Sequence, residues 1–152
     1  MTPETGVLSA TVRRRFAAPR ERVFAAWTDA DAIGQWFGRD AGVDIRSVDA
    51  DVRVGGMYRI QYASDQGEAA IVGTYREVTP VERLAFTFAW DPPFWDVMKG
   101  EGMFVTVEFV EKAGDTEVVL THERLAGAEA SAFHEQGWTN SFDRLDAYLS
   151  GR

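Results

Sequence analysis

The stretch of sequence that decides the fold is residues 129–149, EASAFHEQGWTNSFDRLDAYL. In an α-helix each residue turns the chain by about 100°, so side chains three or four positions apart lie on one face. The side chains that share one narrow face here are His134, Trp138, Phe142, Leu145 and Leu149. This spacing predicts one long helix near the C-terminus that covers an apolar surface with a single stripe.

The surface beneath that stripe is predicted to be a β-sheet. Between Val43 and Arg124, short segments alternate apolar and polar residues, and turns rich in glycine and proline separate them. The clearest alternation is Leu84–Trp90, and similar patterns surround Val105 and Leu120. We expect about six strands, antiparallel because the links between them are short, with one strongly aromatic face.

The residues before these strands predict one further strand and two short helices. Val7–Phe16 alternates like a half-buried strand, and Pro19 suits the first turn of a helix. Asp29 or Asp31 can cap a second short helix, which Gly38 ends. The order of strand, two helices, several strands and one helix predicts an α+β fold, and nothing in residues 1–152 indicates a domain boundary.

Composition limits the classes of function. The chain has no cysteine, which excludes a disulfide framework and thiolate catalysis. Its formal net charge is −8, so the average field repels nucleic acid. The run Arg13-Arg14-Arg15 is expected to be a solvated edge strand rather than a basic recognition patch. Arg14 lies on the apolar side of that strand, where it can extend to solvent, pair with a carboxylate or meet an anionic ligand group.

No metal, cofactor or membrane insertion is expected. Both His122 and His134 precede a glutamate, as in zinc-binding helices, but the position four residues later is Ala126 or Trp138 and not a second ligand. No phosphate-binding loop, dinucleotide fingerprint or serine-nucleophile elbow occurs. No apolar run approaches the roughly 18 residues of a membrane-spanning helix, and a cytoplasmic location is expected.

Several segments together carry a family resemblance. They are Arg15–Pro19, Val23–Asp29, Gln35–Gly38, Gly55–Arg59, Gly73–Thr87, Thr121-His122 and His134–Trp138 with Leu145 and Tyr148-Leu149. Their order and spacing closely resemble the family named after the C-terminal domain of the activator of heat-shock protein 90 ATPase. That family belongs to the START-like (SRPBCC) superfamily, which includes birch-pollen-allergen-like proteins and polyketide cyclases.

The resemblance covers about Val7 to Leu149 and implies a helix-grip fold. In that fold a curved antiparallel sheet wraps the long C-terminal helix, two short helices follow the first strand, and an apolar cavity lies between sheet and helix. Members of the superfamily bind lipids, polyketides and other apolar molecules there, and a few perform chemistry. Fold alone does not fix which of these a chain does.

The candidate ligand-binding residues are those that the strand and helix patterns direct toward this interior. They are Trp36, Phe37, Tyr58, Tyr62, Ile71, Tyr75, Phe86, Phe88, Trp90, Met103, Val105, His122, His134 and Trp138. For about half of the positions on two of the strands, ordinary core packing is the alternative; these positions are Tyr58, Ile60, Tyr62, Ile71, Gly73 and Tyr75. Gly73 is expected to leave a recess in this wall, and the loop Pro92–Trp95 is either a lid or a hydrophobic plug.

His122 and His134 are the candidate catalytic residues because both point inward. Each can bind a ligand carbonyl or phenol, or act as a general base near neutral pH. The alternative is a core histidine that is bonded to a backbone carbonyl or a tyrosine.

Three functions follow from these residues, in order of preference. The first is binding of a hydrophobic, aromatic or polyketide-like small molecule. The second is a cofactor-independent enzyme of the cyclase, dehydratase or hydrolase type that uses a cavity histidine. The third is a chaperone-associated stress protein, for which the sequence offers no surface signal. Exposed strand edges in such a fold can also pair into a homodimer.

Overall fold

The computed structural model describes residues 8–38, 44–64, 67–91, 102–125 and 127–151. The elements in chain order are β1 (Leu8–Phe16), α1 (Arg20–Thr28), α2 (Ala30–Trp36), β2 (Asp44–Ala50), β3 (Met57–Ser64), β4 (Gly67–Thr79), β5 (Arg83–Asp91), β6 (Met103–Lys112), β7 (Asp115–Leu125) and α3 (Ala128–Leu149). The predicted order of elements is confirmed, as is the α+β helix-grip fold.

The seven strands form one antiparallel sheet in the order β1-β7-β6-β5-β4-β3-β2. From β2 to β7 each strand pairs with the next along the chain, as the short connections predict. β1 and β2 lie at opposite edges, so the connection that contains α1 and α2 spans the sheet. Within this connection, α1 packs against β6 and β7, and α2 packs against β2 and α3.

Local chemistry explains where the first two helices begin. The carbonyl of Pro19 accepts the amide hydrogen bonds of Arg22 and Val23, at 3.0 and 3.1 Å. Of the two candidate caps for α2, the structure uses Asp29, whose carboxylate accepts the Ala32 amide at 2.9 Å. Asp29 thus supplies an acceptor that the first turn of α2 would otherwise lack.

The stripe on α3 is buried along its whole length. His134, Trp138, Phe142, Leu145 and Leu149 are all at most 4% exposed. On β1, Arg14 pairs with Asp143 and with Asp146, which follow the stripe residues Phe142 and Leu145 along the same helix. It thus reaches the half-exposed carboxylates of α3 and not a ligand site.

The recess predicted at Gly73 is filled. Gly73 is paired with Tyr58 across β3 and β4, and the Tyr58 hydroxyl crosses it to donate to the Thr87 carbonyl at 2.7 Å. A Cβ at position 73 would lie 2.6 Å from Cε2 of Tyr58 and would also collide with the Thr87 carbonyl oxygen. Gly73 therefore makes room for a phenol of the protein itself, and that expectation was wrong because the cross-strand neighbour occupies the space.

Candidate functional site

A void of about 200 Å³ lies under the first half of α3. Its wall combines side chains of β2, β3, β4, β5 and α3 with the end of α2. The lining residues are Phe37, Gly38, Ile45, Tyr62, Ser64, Ile71, Phe88, Trp90, Phe133, His134, Gly137, Trp138 and Ser141. The wall is largely aromatic and aliphatic, and none of the described side chains that line it is that of Asp, Glu, Lys or Arg.

A smaller void of about 40 Å³ adjoins it. It is lined by Trp27, Ile33, Trp36, Phe37, Val48, Ala50, Tyr58, Ile60, Tyr75, Phe86, Phe88 and Trp138. Phe37, Phe88 and Trp138 border both voids. A space of this size is sufficient for one or a few water molecules and no larger ligand.

Most of the sequence-predicted residues border one of these two voids. Trp36, Tyr58, Tyr75 and Phe86 border the smaller one, and Tyr62, Ile71, Trp90 and His134 border the larger one. Met103, Val105 and His122 border neither, although all three are buried. The predicted lid, Pro92–Trp95, falls outside the described residues.

His122 is held in the core by a tryptophan. The indole N–H of Trp138 donates to Nδ1 of His122 at 3.0 Å, which makes Nδ1 an acceptor without a proton. Nε2 then carries the proton of the neutral ring and lies 3.3 Å from the sulfur of Met103. His122 is completely buried, so neither ring nitrogen is available to a ligand in this arrangement.

His134 also accepts an indole N–H, but on Nε2 rather than on Nδ1. The indole N–H of Trp90 donates to Nε2 of His134 at 3.0 Å, while Nδ1 donates to the Ala130 carbonyl at 2.7 Å. The two imidazole rings lie close together, with centroids 4.6 Å apart. Each histidine thus accepts one indole N–H, and the tautomer follows from the partner that each nitrogen faces.

Both histidines are held in the neutral form. Burial lowers the pKa of His122 well below its ordinary value, and the neighbouring His134 lowers it further. Burial also lowers the pKa of His134, which the hydrogen bond to the Ala130 carbonyl partly offsets. Protonation of either ring would place a second hydrogen against an indole N–H, so it would break the bond that positions the ring.

The tyrosines at the site differ in how their hydroxyl groups are used. Tyr58 donates to the Thr87 carbonyl, as described above, and burial raises its pKa well above the ordinary value. Burial raises the pKa of Tyr75 to about 12, with a contribution from Asp51. The buried hydroxyl of Tyr62 has no hydrogen-bond partner among the described residues, and burial raises its pKa as well. All three phenols therefore keep their protons near neutral pH.

Sequence reasoning missed several residues of the larger void. Ser141 is seven residues after His134, so the helical period could have identified it, and its Oγ accepts the Gly38 amide at 2.9 Å. Gly137 and Phe133 lie beside the stripe, at positions that the pattern assigns to the exposed side. Ile45 is on the edge strand β2, whose alternation is too weak to show which side faces inward.

Metal and membrane features are absent from the part of the chain that the structure describes. No group of three or more His, Cys, Asp or Glu side chains there could hold a metal ion. Within the same residues, no helix combines the length and the apolar character needed to cross a bilayer. The arginines of β1 are paired with carboxylates: Arg13 with Glu117, Arg14 with α3 and Arg15 with Asp115.

Comparison with known proteins identifies a family for most of the chain. A family model described as "Activator of Hsp90 ATPase homolog 1-like protein" matches residues 17–150. No curated protein matches the sequence.

Solved structures with the same architecture come from several bacteria. A protein from Rhizobium leguminosarum is 26% identical, with a TM-score of 0.77 over 96% of this chain and 96% of that one. An AHSA1-like protein from Aeromonas hydrophila is 22% identical, with a TM-score of 0.76 over 95% of this chain and 93% of that one. DynU16, from the dynemicin biosynthetic locus, is 21% identical with a TM-score of 0.74, and the match covers 93% of this chain but 47% of DynU16.

Proposed function

The chain belongs to the family of activator of Hsp90 ATPase homolog 1-like proteins, and from this premise we propose that it binds a hydrophobic, ring-containing small molecule in the larger void. The family typically binds hydrophobic ligands. The observation that carries the proposal is the void of about 200 Å³ beneath α3, with its aromatic and aliphatic wall. Apolar pockets with a few polar groups are the usual form of a small-molecule site.

The size of the void limits the ligand. An engineered apolar cavity of about 150 Å³ is sufficient to bind benzene, and pockets for drug-sized ligands measure about 300 to 1,000 Å³. A void of about 200 Å³ therefore suits one ring with a short substituent or a compact fused pair. Larger ligands would require Phe37 or Trp138, which separate the two voids, to move.

The polar contacts favour binding over the enzymatic alternative. A general base needs a lone pair within reach of the substrate proton. Nδ1 of His122 and Nε2 of His134 each accept an indole N–H instead. The histidines therefore act as acceptors that fix Trp138 and Trp90 in the wall, which is a structural contribution to a binding site.

The test is a binding titration with a small aromatic probe and a variant that obstructs the void. Gly137 lines the void, and a Cβ added there meets no atom within 4 Å. We expect indane to bind the wild-type protein and Gly137→Leu to weaken that binding at least tenfold, measured by calorimetry.

The matched control is Ala132→Leu, which adds an aliphatic side chain to the exposed side of the same helix. It should leave indane affinity unchanged. Equal affinity of all three proteins, or no binding to any of them, would contradict the proposed site.

A further inference from the structure

The polar side chains on the wall of the larger void can be accounted for individually. Six of the lining residues carry a polar side-chain atom: Tyr62, Ser64, Trp90, His134, Trp138 and Ser141. The indole N–H groups of Trp90 and Trp138 donate to the two histidines. Both ring nitrogens of His134 are engaged, by Trp90 and by the Ala130 carbonyl. These three residues already have partners within the protein.

The two serines have backbone partners. Ser64 donates to the Gly67 carbonyl at 3.4 Å, and Ser141 Oγ accepts the Gly38 amide. Both contacts tie the hydroxyl to a neighbouring chain segment. Neither serine is therefore the first candidate for contact with a ligand.

Tyr62 is different from the other five. Its side chain lies in the wall with the residue only 6% exposed, yet its buried hydroxyl has no partner among the described residues. Its ring packs edge-on against Trp90, with centroids 6.2 Å apart. A buried hydroxyl without a partner is unfavourable, so native proteins rarely retain one unless water or a ligand completes it.

The charge of the lining residues further limits the class of ligand. Among the residues that the structure describes, no carboxylate, lysine or arginine side chain lines the void, so none of them could act as counterion to a charged ligand group buried there. Since burial raises the pKa of Tyr62, its hydroxyl keeps the proton and can donate it. In the described part of the wall, Tyr62 thus carries the hydroxyl that has no partner at all, and no side chain there carries a compensating charge.

We propose that Tyr62 is the hydrogen-bond donor that selects the ligand, and that the ligand is a neutral ring compound with a carbonyl-type oxygen directed at the Tyr62 hydroxyl. This inference rests on the proposed function, because it assumes that a small molecule occupies the larger void. It adds the chemical class of that molecule and the residue that recognises it.

The experiment uses two probes with the same number of non-hydrogen atoms and a similar outline. Acetophenone and cumene have a ring of six carbons and a three-atom branched substituent, but only acetophenone has a carbonyl oxygen. Tyr62→Phe removes the hydroxyl and keeps the ring. We expect this variant to bind acetophenone about tenfold more weakly and cumene with unchanged or higher affinity, as measured by calorimetric titration.

Two controls accompany the titration. Tyr148→Phe makes the same chemical change on α3 at a residue that borders neither void, and should alter neither affinity. The unfolding temperature of Tyr62→Phe should equal or exceed that of the wild type, because the lost hydroxyl has no hydrogen-bond partner in the part of the chain that the structure describes.

The outcomes separate the inference from the proposed function. If the wild type binds both probes and Tyr62→Phe lowers neither affinity, the role of Tyr62 is overturned while the binding site stands. A drop of equal size for both probes would also overturn it, since the effect would then lie in packing. If the wild type binds neither probe, the proposed function itself fails.

Discussion

The two halves of α3 bury one continuous stripe, but the surroundings of the buried side chains differ. In the second half, Phe142 and Leu145 pack against a filled core, and the Phe142 ring contacts Phe16 with centroids 5.6 Å apart. In the first half, His134 and Trp138 are buried as completely, yet they border a void and bond to other polar groups. Burial of a helix stripe therefore does not distinguish a filled core from the wall of a void.

Hydrogen bonding makes the difference. Next to the first half, the buried imidazoles of His134 on α3 and His122 on β7 are tolerated because each accepts an indole N–H, and such pairs hold their members in fixed positions. Aliphatic side chains of the second half have no such constraint and simply fill space. One half is therefore stabilised mainly by packing and the other by a small polar network.

Truncation of a side chain should lower the free energy of unfolding more in the filled half of α3 than beside the void, and this is the largest difference that we expect. Leu145→Ala, in the filled half, should lower the free energy of unfolding by about 4 kcal/mol, because it opens a cavity that neighbours cannot close. Ile71→Ala, beside the void, should cost about 2 kcal/mol, since part of that side chain already borders empty space. Urea unfolding of both variants measures the difference. Equal costs would mean that the two halves are packed alike.

A second prediction concerns how the stability of the protein depends on pH through His122 and His134. Because the pKa values of His122 and His134 are lowered by folding, the unfolded chain binds more protons than the folded one below about pH 6.5. The stabilisation is complete above that pH and is lost as the pH falls through the folded pKa values, at up to about 1.4 kcal/mol per pH unit for each histidine.

Urea unfolding measured between pH 7.5 and pH 5 tests this expectation. The control is the double variant His122→Gln/His134→Gln, in which each amide oxygen can still accept an indole N–H. In this variant the pH dependence of stability that arises from the carboxylates should remain. The part of the slope that arises from the histidines should be lost. The same slope in both proteins would show that the histidines titrate as in the unfolded chain.

The order and type of elements could be predicted because each depends on local residues. Periodicity located α3 and the strands, Pro19 and Asp29 located the short helices, and the family resemblance supplied the way they pack. Twist and strand order then follow from antiparallel neighbours joined by short links.

The site could be predicted only in part because its details depend on contacts distant in sequence. Tyr58 and Gly73 are assigned to one wall by alternation, but only cross-strand register shows that one fills the space of the other. The pairing of Trp138 with His122 joins α3 to β7, and no local pattern encodes it. For the same reason, Tyr62 is indistinguishable from the other tyrosines in the sequence.

The smallest expected effect is a gain in stability at Gly137. Glycine within a helix is about 1 kcal/mol less favourable than alanine, and a Cβ at this position meets no atom within 4 Å. Gly137→Ala should therefore raise the free energy of unfolding by about 1 kcal/mol. Thermal unfolding of this variant and of the wild type shows whether the stability rises or falls. A loss of stability would show that the backbone at the rim of the void needs glycine for a different reason.

The central claim is that the space under the first half of α3 is a ligand site. A crystal structure of the protein grown with acetophenone tests it most directly. We expect the ring to lie between Phe88 and Trp138, with the carbonyl oxygen within hydrogen-bond distance of the Tyr62 hydroxyl. A void closed by the protein's own side chains, or acetophenone bound only elsewhere, would contradict it.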